Sequence, residues 1–139
     1  MKINKKELTL VYTNIFFLIP FLIGLANGKL SLSILLGIFT LSSTTYHLFR
    51  KPGAEWWWRT RGRTKTQTFM LLSEIILALI LSAWSIIIIY HKSLIILGLA
   101  TVLFIPGFIM FLRTDYKKYI LHHTIWHITS AAIITMALI

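Results

Sequence analysis

The sequence predicts an all-α integral-membrane protein: residues 1–139 form a single bundle of five transmembrane helices, N-terminus cytoplasmic and C-terminus outside. Hydrophobic residues make up 57% of the 139 and charged residues only 13%. A soluble domain of this size cannot hide that much apolar surface, whereas helices facing lipid need not. Five apolar stretches are long enough to span, because about 20 residues at about 1.5 Å each cross a hydrocarbon core of about 30 Å. The basic residues are sorted to one side, twelve against two, and the positive-inside rule makes the richer side cytoplasmic.

The first stretch, Leu8–Ala26, follows Lys2, Lys5 and Lys6. A basic start before an apolar run is also the pattern of a secretory signal. Here Leu25-Ala26-Asn27 is a poor small-residue cleavage site and the run is long, so it reads as a retained helix. Asn27-Gly28-Lys29 turns the chain outside, since Asn and Gly both tolerate positive φ. The second stretch, Leu30–Phe49, returns to the inside.

Arg50–Lys65 is the one substantial connection, with Pro52-Gly53, Trp56-Trp57-Trp58 and a basic cluster of Arg50, Lys51, Arg59, Arg61, Arg63 and Lys65. Indole rings collect at headgroup level, so this segment reads as an interfacial anchor. A lid holding lipid chains over a cytoplasmic-side pocket is the sharper alternative. The third stretch, Thr66–Tyr90, ends at a short outside turn, His91-Lys92. The fourth, Ser93–Leu112, leads through a basic inside loop with Arg113, Lys117 and Lys118 to the fifth, Tyr119–Ile139. Pro20 and Pro106-Gly107 lie within helices one and four and are expected to kink them. There is no internal repeat, and an odd number of spans argues against a simple inverted-repeat transporter.

The net charge of +10 is accounted for by topology and by contact with anionic headgroups on the cytoplasmic side. A nucleic-acid partner is not expected, since no basic, aromatic-lined soluble surface is present. With no cysteine in the chain, disulfides, thiolate metal sites and cysteine nucleophiles are excluded. Any transition metal must use histidine and carboxylate.

Those residue types occur together inside the apolar stretches. Ser43 and His47 are four apart near the inner end of the second helix, and His123 and His127 are four apart near the inner start of the fifth. Each pair therefore stacks on one helix face. Glu74, the carboxylate inside an apolar run, lies about two turns into the third helix. All five groups fall in a layer roughly 5–13 Å inside the cytoplasmic boundary. Ionisable groups at such depth are costly, and their default reading is functional.

Two imidazoles one turn apart can hold a Zn²⁺ ion from one face, and a third from another helix leaves a tetrahedral position open for water. His123, His127 and His47 supply that set. Zinc makes hydroxide available near neutral pH. A carboxylate such as Glu74 can orient the water or take its proton, and Ser43 can hydrogen-bond the water or a developing oxyanion. His122, about 100° around the helix from His123, reads as an outer partner or an interfacial group, and His91 as interfacial.

Ser43-x-x-x-His47 late in helix two and His123-x-x-x-His127 early in the last helix resemble the signature of the CREST superfamily of membrane hydrolases. This superfamily includes alkaline ceramidases, progestin and adiponectin receptors, haemolysin-III-type proteins and myomaker. His123-Thr124-Ile125-Trp126-His127, followed by small residues Ser130 to Ala132, is similar to the ceramidase and myomaker branches. The resemblance implies zinc on His47, His123 and His127, with Ser43 beside the zinc-bound water. Two features depart from the family. Five helices stand where members have about seven, so two are missing or a homo-oligomer completes the cavity. Glu74 is the carboxylate available where the family has aspartate.

The function expected is zinc-dependent cleavage of a lipid amide, with a sphingolipid- or ceramide-like substrate drawn from the membrane. The alternative is a non-enzymatic, receptor- or fusion-like membrane protein with a structural zinc. A haem carrier using His47 with His123 or His127 would leave Ser43 and Glu74 without a role. The Ile- and Lys-rich, cysteine-free composition fits a bacterial inner membrane.

Overall fold

The computed structural model describes residues 7–50, 64–112 and 118–139, all of them in helices or the turns between helices. Trp56, Trp57 and Trp58, Pro52-Gly53 and the basic residues at positions 2, 5, 6, 51, 59, 61, 63, 113 and 117 lie outside the described residues. The first rod is α1 (Leu8–Thr13), a 3₁₀ segment (Asn14–Phe17) and α2 (Leu18–Ala26). It is followed by α3 (Leu30–Phe49), α4 (Lys65–Lys92), α5 (Leu94–Leu112) and α6 (Tyr119–Leu138). Among the described residues, Leu8–Ala26, Leu30–Phe49 and Lys65–Lys92 are long and apolar enough to cross a membrane. The chain is a membrane protein on that ground.

Helix one is not continuous α-helix. Pro20 has no N–H to donate and its ring crowds the carbonyl four residues back. The backbone tightens to 3₁₀ geometry over Asn14–Phe17, immediately before the turn that carries it. Pro106 lies within α5, with helix on both sides of it.

Polar side chains close the helix ends. Thr64 and Gln67 form a reciprocal capping box at the start of α4, and Gln67 Nε2 also donates to Phe49 O, 2.8 Å away, at the end of α3. Gly28, at φ +68, makes the turn between α2 and α3. Asn27 Nδ2 donates to Leu138 O at 2.7 Å and Lys92 Nζ to Ala137 O at 2.9 Å. Two turns of the chain thus satisfy the last carbonyls of α6. Asn27, Lys92 and Leu138 therefore share one end of the bundle.

Phe17, Leu32, Leu36, Phe39, Leu81, Ala131, Ile134 and Leu138 pack into the main core between the first rod, α3, α4 and α6. Close approach needs small residues: a Cβ on Gly24 would collide with Ser33 Oγ, and one on Gly107 would meet Thr129 Oγ1. The outer faces are apolar as well, with Leu41, Leu79, Ile95 and Val102 each at least 65% exposed. Helices apolar on all sides suit a bilayer rather than water.

Candidate metal centre

At the end of the bundle opposite Leu138, three helices bring four metal-ligating side chains together. α3 supplies His47, α4 supplies Glu74, and α6 supplies His123 and His127. All four are buried, and one donor atom from each lies within 4.8 Å of every other. The ring centroids of His47, His123 and His127 form a triangle with sides of 4.9, 5.6 and 4.7 Å. Glu74 Oε1 lies 3.5 Å from His47 Nε2. Three imidazoles and one carboxylate, compact and without thiolate, suit a borderline divalent ion such as zinc. The group can hold a metal ion.

Each predicted site residue falls at this centre. Ser43 and His47 are fully buried, one turn apart on the inner face of α3. Ser43 Oγ lies 2.7 Å from Glu74 Oε1 and 3.3 Å from Asn14 Oδ1. Asn14 is oriented in turn by donating its Nδ2 to Thr44 Oγ1 at 3.0 Å. His122 is buried outside the group, and His91 is exposed against the ring of Tyr90.

Glu7, Thr13 and Asn14 are site residues that the sequence reading does not single out. Glu74 is not the sole carboxylate here. Glu7, just ahead of α1, is 6% exposed, with Oε2 3.0 Å from His47 Nδ1 and Oε1 2.8 Å from Arg50 Nη1. The Arg50 guanidinium also lies 4.5 Å from the Tyr119 ring centroid, a cation–π distance. Thr13 Oγ1 is 2.9 Å from both Leu10 O and His127 Nδ1. Polar residues such as Thr13 and Asn14 inside an apolar run were the available signal. Glu7 carried none, because it stands among lysines at the run's edge.

These bonds fix two ring orientations. A carboxylate only accepts, so His47 donates from Nδ1 to Glu7 and turns Nε2 inward. A backbone carbonyl also only accepts, so the Thr13 hydroxyl proton goes to Leu10 O, and Thr13 accepts from His127 Nδ1–H. His127 Nε2 is left as the lone-pair nitrogen.

An apolar cavity of about 200 Å³ reaches the centre. Phe39, Ala78, Phe104, Phe108 and Trp126 contribute to its walls, and Glu74, His123 and His127 to its polar end, beside Arg50 and Tyr119. A second cavity of about 170 Å³ lies towards Ile89 and Leu97, and Ser82, Ile86, Phe104 and Trp126 line both. Comparison of the chain with protein-family models, curated proteins and solved structures gave no match.

Proposed function

We propose that this protein is a zinc-dependent intramembrane hydrolase that cleaves the amide bond of a ceramide-like lipid. One observation carries the reading: the Ser43–Glu74 hydrogen bond lies beside the three-histidine group, at the polar end of an apolar cavity. A structural metal needs neither the hydroxyl nor the room. The CREST-like spacing of Ser43, His47, His123 and His127 adds to it. In this reading five helices span a bacterial inner membrane, N-terminus inside, with the centre towards the cytoplasmic face.

His47, His123 and His127 would hold the zinc, which supplies Lewis acidity and an acidified water when bound. Glu74 accepts a proton from the attacking water and returns it to the leaving amine. Ser43, now donating to Glu74, turns its O–H to the oxygen that gains charge as the carbonyl is attacked. The cavity walls bury the acyl chain and exclude bulk water, strengthening each of these polar contacts.

The test is purified protein assayed for metal by elemental analysis, then for fatty-acid release from ceramide-like lipids in liposomes. Zinc without a haem absorption band, and release abolished by a chelator and restored by zinc, are expected. Zinc-loaded protein inactive on a broad panel of lipid amides and esters would leave the ion a structural role joining α3, α4 and α6.

A further inference from the structure

The three histidines come from α3 and α6 and the carboxylate beside them from α4, yet the first rod touches three residues of the centre. Glu7 meets His47, Thr13 meets His127, and Asn14 meets Ser43. Glu7 and Asn14 are seven residues apart, two helical turns, so they share a face with Thr13 beside it. All three are buried, with Asn14 2% and Thr13 8% exposed. A rod placed only to pack would fill this face with apolar side chains, as it does lower down with Phe17.

We infer that Glu7 and Thr13 are positioning residues of the metal centre: α1 supplies no ligand but sets which ring nitrogen His47 and His127 present. The inference rests on the metal reading above and adds a role for a helix outside the ligand set. A histidine ligand must offer a lone pair from one nitrogen while its other N–H finds an acceptor, and outer partners of this kind hold both tautomer and ring angle. Glu7 Oε2 is the acceptor for His47, and Thr13 Oγ1 the acceptor for His127. Arg50 secures the other Glu7 oxygen, so the carboxylate is held at both ends between α1 and the end of α3. Without these acceptors either ring can place its proton on Nε2, and that nitrogen then has no lone pair for the ion.

The experiment uses full-length protein in detergent, stripped of metal and titrated with Zn²⁺ against a competing chromogenic chelator. Co²⁺ titration adds the visible absorption of the bound ion. Glu7→Ala and Thr13→Val are expected to bind zinc about 10–100-fold more weakly than the unaltered protein. Thr13→Ser, which keeps the hydroxyl, should restore affinity to within a few fold. Glu7→Gln, with one oxygen where Glu7 uses two, should fall between. Asn27→Ala is the structural control. It removes a comparable hydrogen bond at the far end of the same rod and should lower thermal stability without changing zinc affinity.

Wild-type affinity in both Glu7→Ala and Thr13→Val would overturn the inference and leave the metal centre standing. An Asn27→Ala protein as weak in zinc binding as Thr13→Val would also overturn it, by showing that packing alone is responsible. If Glu7→Ala does not fold, the Thr13→Val and Thr13→Ser pair decides. Unaltered protein that binds neither ion would remove the metal centre itself, a separate outcome.

Discussion

The Ser43 hydroxyl and the Glu74 carboxylate meet at 2.7 Å across the α3–α4 interface, and the same carboxylate oxygen lies 3.5 Å from His47 Nε2. Residues 31 positions apart thus share one polar contact inside an apolar bundle. If the pair serves hydrolysis, Ser43→Ala and Glu74→Gln should keep zinc and slow turnover. Loss of an acid–base group costs on the order of 10²–10⁴-fold, and loss of an oxyanion donor on the order of 10²–10³-fold. Steady-state rates beside metal content check this. Zinc lost from Glu74→Gln would make Glu74 a fourth ligand instead.

The ligand set makes its own prediction. His47→Ala, His123→Ala and His127→Ala should each lose most bound zinc, since three protein ligands are the usual complement of a catalytic site. His122→Ala and His91→Ala should retain it, because neither ring belongs to the group. Elemental analysis of the five purified variants gives the answer. Metal lost from His91→Ala and kept by His47→Ala would show the assigned set to be wrong.

If the cavity holds the acyl chain of the proposed substrate, it sets a chain-length selectivity. Ser82 lies in the walls of both cavities, so Ser82→Phe should take up space in both. Turnover of long-chain lipid amides should fall on the order of tenfold or more, a size typical of pocket discrimination, while short-chain substrates and zinc content stay near normal. Equal losses on all chain lengths would mean that the substrate chain does not lie there.

Helix packing can be probed away from the centre. A methyl group on Gly24 has no room against Ser33 Oγ. Gly24→Ala should therefore destabilise the α2–α3 contact by about 1–3 kcal/mol, as overpacking does. A lowered thermal midpoint in detergent with unchanged zinc affinity is expected.

Topology is open to direct test. Reporter fusions at Ile139 should report outside and fusions at the N-terminus inside, following the twelve-to-two asymmetry of basic residues. A cytoplasmic Ile139 would remove the five-span arrangement.

The sequence by itself determined the helices and the two stacked pairs, Ser43 with His47 and His123 with His127. Both are local properties: apolar length sets a span, and helical period sets which residues share a face. Glu74 could be picked out as well, because a carboxylate within an apolar run is conspicuous wherever it ends up. Only the tertiary structure decided that Glu74 meets Ser43 and that the two stacked pairs face one another closely enough to share one centre. It alone brought in Glu7, Thr13 and Asn14. These outcomes depend on how far each helix is rotated about its own axis. A helix apolar on every side carries no stripe that fixes that rotation. The angle is set by fit at contacts such as Gly24 against Ser33, and by buried polar groups finding partners on other helices.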